Sequence, residues 1–429
     1  MSSQITICLI IAAITIAFYI WGKFPMGAVA LFSTCLFALT KCVSTPDVLG
    51  NFGNKNAVVI VCMFIVSAGL TKTQFISNMA AAVNRIAKGS LSKILIGYML
   101  LAVLIDQFIG QGVTEFAIVA PLLGASVDQI GVKRSKVMYP LGIMCLAAMG
   151  WAPIGPGIAT VMETNGMIES IVTGYTVSNI DPFLVRMPAI ILTFVYLALF
   201  GTKMAPDEPI VPIAGITSKP VTGGEKLPPL QEKCGYIVFF ATCIGLLICS
   251  KIGVDGWVIT LTGAVLMVLT GVLRGNDLKM AFPLSFYAIF VGSLTMGTAL
   301  TNTGAADLLG GMIANAVSKF NSTFVVYLVF FMVPFIMTQF MMNRAARLAI
   351  TPVVIAACAA LGISPVGPAV LVMVAATTAY CTPMACPCIP QVMAAGGYDF
   401  KSVLKQSIIP SLIMALVSVA WVSFLYPIY

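Results

Sequence analysis

Ten apolar windows, most of them long enough to cross a lipid bilayer, make up the larger part of the chain. With 59% hydrophobic and 9% charged residues and a mean hydropathy of +1.03, the composition is that of an all-α polytopic membrane protein. The first window lacks a basic flank and a small-residue cleavage site, so it is predicted to be a membrane span and not a signal peptide. The windows lie at about 4–20, 24–42, 56–71, 138–162, 183–202, 235–250, 256–273, 284–302, 364–393 and 403–427.

Two further apolar stretches carry charged residues at their centres. Phe331–Pro352 contains Arg344 and Arg347, and Ile105–Pro121 repeats its Gln-Phe, Ala-Ile and final Pro. A charge at membrane depth costs several kcal/mol unless it faces protein, water or a ligand, so both stretches are predicted to be functional sites. Each arm beside the polar centre is about fifteen residues or fewer, which favours a re-entrant hairpin over two full spans.

The two halves of the chain present these features in the same order. We therefore predict two repeats, each with five spans and one hairpin, or about ten transmembrane helices and two re-entrant hairpins in all. With the N-terminus outside, sixteen lysines and arginines lie inside and five outside, Arg186 among the latter, and this bias gives the repeats inverted topology. The boundaries are 1–204 for the first repeat, with its hairpin at 91–126 and a broken helix at 138–162; 205–234 for a cytoplasmic linker; and 235–429 for the second repeat, with its hairpin at 321–360 and a broken helix at 364–393.

Hairpin tips and broken helices expose unpaired backbone groups, whose N–H ends attract anions and whose carbonyl ends attract cations. Prolines such as Pro153 and Pro383 remove donors from the broken spans and free further carbonyls. A guanidinium binds a carboxylate or another oxyanion in bidentate fashion, which suits Arg344 and Arg347 to an anionic substrate. The alternative is an internal ion pair between Arg347 and Glu115, which occupy equivalent positions in the two stretches.

Asp106 lies five residues before Gln111, as Thr338 lies five before Asn343. This spacing predicts that each side chain reaches the tip of its own hairpin. There Asp106 could bind sodium or take up a proton, or it could pair with an arginine. The chain has no histidine, and the cluster Cys381, Cys386 and Cys388 is predicted to be small-residue packing before it is a soft-metal site.

The pattern resembles the divalent-anion/sodium symporter family of the wider ion-transporter superfamily. The resemblance covers nearly the whole chain and includes FPMGAVALFSTCLFAL, NFGNKNAVVIVCMFIVSAGLTKT, both hairpins, TPMACP and AAGGYDF. It implies an elevator mechanism, a homodimer, and substrate and cation sites at the hairpin tips. The family's Ser-Asn-Thr tips are replaced here by Gly110-Gln111-Gly112 and Met342-Asn343-Arg344, which points to a ligand other than the usual four-carbon dicarboxylate.

These arguments predict a secondary active transporter of a small organic anion such as a carboxylate, coupled to Na⁺ or H⁺, in the cytoplasmic membrane of a prokaryote. The alternatives are an inorganic oxyanion or metalloid permease and a sodium/proton antiporter. No enzyme, nucleic-acid partner or cofactor beyond the coupling ion is expected. The residues predicted to contact substrate are Gln111, Gly112, Thr114, Asn343, Arg344, Arg347, Thr382, Pro383 and Pro153. Those predicted to hold the coupling cation are Asp106, Gly110, Gln111, Thr338, Asn343 and Cys381.

Overall fold

The structure, a computed structural model, describes residues 3–21, 23–213, 227–282, 284–305, 308, 311, 322–340, 342–383 and 386–428. These residues form helices and connecting loops with no β-strand, as the apolar windows predict. Part of the predicted linker lies outside the described residues. Almost all of the amphipathic segment at 305–319 also lies outside them.

The first half contains α1 (Ser3–Trp21), α2 (Met26–Leu39), α3 (Thr45–Phe52), α4 (Lys55–Thr71), α5 (Phe75–Ala87), α6 (Leu91–Ile109), α7 (Gly112–Gln129), α8 (Met138–Ala147), α9 (Pro156–Ile171) and α10 (Asp181–Tyr196). A π-helical segment at Leu197–Gly201 extends α10. The second half contains α11 (Pro229–Ile252), α12 (Gly256–Leu269), α13 (Gly275–Ala281), α14 (Leu284–Thr303), α15 (Thr323–Thr338), α16 (Asn343–Leu361), α17 (Val366–Thr377), α18 (Cys388–Gly396) and α19 (Phe400–Leu425).

Both predicted hairpins are helix–turn–helix units, which we call hairpin 1 (α6 and α7) and hairpin 2 (α15 and α16). The prediction of short arms is wrong, because the four arms have 19, 18, 16 and 19 residues. The arms are longer because the helices continue through the polar residues at the centre of each stretch and end only at the turn. Within the described residues, five helical stretches are long and apolar enough to cross a membrane, and the first arm of hairpin 1 and the second arm of hairpin 2 are among them.

Both predicted broken helices are interrupted, at break 1 (residues 148–155, between α8 and α9) and break 2 (described residues 378–383 and 386–387, between α17 and α18). Break 1 turns through two glycines in left-handed conformations, Gly150 at φ +62° and Gly155 at φ +54°. Pro156 then starts α9, since a proline in the first helical turn sacrifices no hydrogen bond. The breaks thus follow from glycine and proline chemistry that the sequence already displays.

The largest buried core joins the two hairpins, both interrupted helices and the long helices α10 and α19. Smaller clusters form where α4 packs against α11 and α12, and where α1 and α2 pack against α14. Contacts between the halves are reciprocal, since α2 packs on α14 while its counterpart α12 packs on α4. The repeat boundaries and their inverted orientation stay predictions.

Replacing Gly155 by alanine should destabilise break 1. A Cβ there would lie 2.1 Å from the Gln107 carbonyl oxygen, and φ +54° is itself unfavourable for a side chain by about 1–2 kcal/mol. Gly174, at φ +90° with open space around its Cβ position, is the matched control. Thermal unfolding of the purified protein should show a larger loss of apparent Tm for Gly155→Ala than for Gly174→Ala. Equal losses would show that the close approach to Gln107 has no energetic consequence.

Candidate substrate site at the hairpin turns

One cavity of about 300 Å³ lies where both hairpin turns and both breaks converge. Its volume is at the lower end of ligand pockets, which suits a small molecule. Its lining residues are Phe64, Gly110, Gln111, Gly112, Val113, Met149, Gly150, Pro156, Thr160, Arg186, Met342, Asn343, Arg344, Arg347, Met373, Ala376, Thr377, Cys386 and Pro387. The meeting of two tips and two breaks is therefore a feature of the described structure.

Helices begin at this cavity from both halves of the chain. Gly112 and Asn343 are the first residues of the second hairpin arms, and Pro156 is the first residue of α9. Unpaired N–H groups at a helix start carry partial positive charge. The wall of the cavity is thereby suited to an anion before any charged side chain is considered.

Three arginines line the cavity, and its described lining residues include no acid. Arg344 and Arg347 were predicted there from sequence. Arg186 was counted among the basic residues on the outside and was not predicted to be a site residue; it lies in α10 and is 2% exposed. Its guanidinium donates to the carbonyls of Met149 and Ala147, each at 2.7 Å, and so satisfies the backbone groups that break 1 leaves unpaired.

A buried glutamate that the sequence analysis overlooked neutralises part of this charge. Both oxygens of Glu163, in α9, accept hydrogen bonds from hairpin 2, one from Arg344 Nη2 at 3.2 Å and the other from Arg347 Nη2. The alternative pairing of Arg347 with Glu115 is therefore wrong. The physical reason is placement: α9 packs against α16, whereas α7, which carries Glu115, packs against α8 and α18. An acid directly after the apolar window at 138–162, between it and further apolar residues, was the available signal for Glu163.

In each half of the chain, one glutamine fastens the hairpin to its break. Gln107 Oε1 accepts from the Ala152 N–H at 2.9 Å, and its Nε2 donates to the Val103 carbonyl at 2.7 Å. In the second half, Gln339 Oε1 accepts from the Cys381 N–H at 3.2 Å, and its Nε2 donates to the carbonyls of Thr378 at 2.9 Å and Phe335 at 3.1 Å. These amides satisfy orphan backbone groups at both breaks, which are costly when buried.

Asp106 and Glu115 form a buried carboxyl pair beneath the tip of hairpin 1. Both are 0% exposed, and they interact electrostatically. Asp106 Oδ2 accepts from the Gly150 N–H at 2.9 Å, whereas Asp106 Oδ1 and both Glu115 oxygens have no hydrogen-bond partner among the described residues. Two neighbouring buried carboxyl groups are unfavourable when both are charged, so this arrangement suits the uptake of a proton or a cation.

The predicted site residues divide between the cavity wall and the layer behind it. Gly110, Gln111, Gly112, Asn343, Arg344 and Arg347 line the cavity. Asp106, Thr338 and Cys381 lie behind the wall; Thr338 donates to Asn343 Oδ1 at 3.1 Å and to the Ala376 carbonyl at 2.8 Å. The other four predicted substrate residues do not line the cavity. Thr114 is exposed beside Gln111, and Thr382 donates to the Gln339 carbonyl. Pro153 and Pro383 also lie outside the lining.

The cysteine cluster offers no metal site in the described part of the chain. No group of three or more Cys, Asp or Glu side chains there has metal-binding geometry. Cys381 Sγ instead contacts Ser411 Oγ at 3.5 Å, and Cys388 is buried at the start of α18. Cys386 lines the cavity.

Curated relatives of this chain are named as transporters. It is 30% identical over 156 residues to the uncharacterized transporter YfbS of Escherichia coli, covering 34% of this chain and 25% of that protein. It is 23% identical over 289 residues to the putative malate transporter YflS of Bacillus subtilis, covering 62% and 57%. It is 23% identical over 181 residues to sodium/sulfate cotransporter 2 of Chlamydomonas reinhardtii, covering 41% and 20%. The chain thus spans between 20% and 57% of the length of these relatives.

Two solved transporter structures share the fold. MtrF of Neisseria gonorrhoeae, described with a class of antimetabolite efflux pumps, superposes with a TM-score of 0.61 at 12% identity, covering 100% of this chain and 96% of MtrF. The YdaH transporter of Alcanivorax borkumensis superposes with a TM-score of 0.58 at 15% identity, covering 88% and 86%. At these identities the likeness concerns the fold alone.

Residues 16–378 match the family model described as CitMHS, citrate transporter. The match covers most of the chain and both hairpin turns, and it does not extend to the narrower resemblance to divalent-anion/sodium symporters. With its apolar helices and named relatives, the chain is a multi-pass membrane protein of a secondary transporter family. It belongs to the citrate transporter family.

Proposed function

We propose that this protein is a cation-coupled secondary active transporter of a small organic anion, with a carboxylate as cargo. The observation that carries the proposal is the cavity at the two tips and two breaks, which presents three arginines and several helix starts and no acid among its described lining residues. A water-filled or ligand-filled pocket of this charge in an apolar protein favours an anion.

Two hydrogen-bond donors at the cavity are available to such an anion. Arg347 Nη1 and Asn343 Nδ2 are buried and have no hydrogen-bond partner among the residues that the structure describes. A buried donor without a partner is unfavourable by about 1–3 kcal/mol, and an oxyanion would satisfy both. Because Arg347 also holds Glu163, its guanidinium is fixed in direction before the anion arrives, which reduces the entropy lost on binding.

The coupling cation is assigned to the layer behind the cavity wall. Asp106 and Glu115 are the acids nearest the tip of hairpin 1, and among the described residues neither forms an ion pair with an arginine of the kind seen at Glu163. A proton shared between them, or a sodium ion bound by their oxygens and neighbouring carbonyls, would offset the charge of the cargo. Thr338 stands at the corresponding place in the second half, where it contacts Asn343.

The resemblance to divalent-anion/sodium symporters implies an elevator mechanism, and we propose it for this protein. The two hairpins and two interrupted helices would form the mobile transport domain, the remaining helices a scaffold that dimerises, and the motion would be of the elevator type. The hairpins and interrupted helices share one buried core, which supports their motion as one body; α10 and α19 belong to the same core. We assign the protein to the cytoplasmic membrane of a prokaryote.

An inorganic oxyanion such as sulfate is the second candidate cargo, because the cavity is small and one relative is named as a sodium/sulfate cotransporter. A thermal-shift screen of the purified protein against citrate, malate, succinate and sulfate, with and without sodium and at two pH values, separates the candidates. A ligand that binds only the folded state raises its apparent stability by mass action. Stabilisation by none of these anions, with sodium alone effective, would replace the proposal by a sodium/proton antiporter.

Arg347→Lys should weaken binding of the stabilising anion about 10- to 100-fold, since a lysine cannot replace a charge-assisted bond of about 1.5–3 kcal/mol made by a planar guanidinium. Arg85→Lys, at an exposed position on α5, is the matched control and should leave the affinity unchanged. Isothermal titration measures both. An Arg347→Lys protein that binds as tightly as the parent would remove Arg347 from the anion site.

Glu115→Gln should abolish the dependence of anion uptake on the driving cation while leaving anion binding within about threefold, because the amide can neither share a proton with Asp106 nor attract a cation. Uptake into proteoliposomes with an imposed pH or sodium gradient measures this dependence. Glu208→Gln, whose carboxylate pairs with Lys133 at the surface at 3.3 Å, is the control. Retained stimulation by the gradient would reduce the carboxyl pair to a structural element.

A further inference from the structure

Glu163 links the two halves of the chain at the cavity through charge. It lies on α9 in the first half, is 0% exposed, and binds two arginines from the first turn of α16 in the second half. Both arginine side chains reach the cavity, whereas Glu163 is not among its lining residues. The carboxylate therefore contacts these guanidiniums from the side away from the cavity.

Folding stability alone is a weak reason for such a cluster. Burying ion pairs costs several kcal/mol per ion in desolvation, and apolar replacements of equal size are often neutral or stabilising. Removing one partner of a buried ion pair is strongly destabilising, because it leaves the other charge uncompensated. Here Arg344 and Arg347 also repel each other at i, i+3 on one helix. An anion beside both arginines is thus required whenever the site is buried.

The cargo of the proposed transporter supplies such an anion only while it is bound. After release, the site has to return across the membrane without it. We propose that Glu163 is an internal counter-ion that offsets one of the two positive charges of Arg344 and Arg347 in the empty carrier and so allows the empty site to reorient. The inference rests on the proposed function, because it requires an anionic cargo at this cavity.

The geometry gives the two anions different faces of the same arginines. Glu163 takes one Nη2 donor from each guanidinium, and Arg347 Nη1 stays without a partner beside the cavity. A cargo carboxylate can bind from the cavity side while Glu163 holds the other side. Loss of Glu163 then leaves a site that still binds and carries cargo but returns empty only with one more uncompensated positive charge.

The test compares two transport modes in proteoliposomes containing Glu163→Gln. Net uptake of labelled citrate into vesicles without internal citrate requires the empty carrier to return, whereas exchange against internal citrate does not. We expect net uptake to fall at least tenfold, exchange to stay within about threefold of the parent, and citrate to bind with equal or higher affinity. A residue that only maintained the fold would lower both modes together.

Glu169→Gln is the matched control, since Glu169 is on the same helix and pairs at the surface with Lys55 at 3.2 Å. It should change neither mode. Glu163→Asp keeps the charge but moves it back by one methylene. It should also lower net uptake more than exchange, but by a smaller factor than Glu163→Gln does. This variant carries the test if Glu163→Gln does not fold.

Parallel assays with malate and sulfate separate the possible failures. If the wild-type protein binds and transports none of the three anions, the proposed function is contradicted and the counter-ion inference with it. If the wild type transports an anion, two results overturn only the inference. One is that the Glu163 variants lose exchange and net uptake to the same extent, and the other is that they lose neither.

Discussion

Unpaired backbone groups inside an apolar protein are the constraint on which this structure depends. Interrupting α8–α9 and α17–α18 frees N–H and carbonyl groups where water is scarce, and each must find a partner. Gln107 and Gln339 supply amides at the two breaks, and Arg186 takes two further carbonyls at break 1. Only with these groups satisfied can the remaining helix starts stay open towards a ligand.

Charge is arranged around the cavity in two layers. The wall presents arginines from α10 and α16, and the layer behind it holds Glu163 on one side and the Asp106–Glu115 pair on the other. The acids thus offset the arginines without competing for space in the cavity. This separation is consistent with a site that has to accept an anion and release it again.

Sequence patterning predicted the parts of this architecture that obey local rules. Apolar length located the helices, glycine and proline located the breaks, and polar residues within apolar stretches located both tips, including Asn343 and Arg347. Side-chain partners were harder, because they depend on which helices are neighbours. Glu163 was missed, Glu115 was offered to Arg347 as a partner, and Arg186 was not recognised as a site residue. Each of these cases concerns a contact between different helices, which periodicity does not report.

The fastening of the breaks by glutamine has a consequence for how such a protein can diversify. An amide does not titrate, so the bonds that Gln107 and Gln339 make to the breaks are independent of pH, whereas a carboxyl group such as that of Asp106 or Glu115 can take up a proton. In the proposed transporter, the frame of the breaks and the coupling ion therefore depend on different residues. Substitution at one or two acids would then exchange one driving ion for another while Gln107 and Gln339 preserve the frame, which would let a single architecture serve organisms that live on different ion gradients.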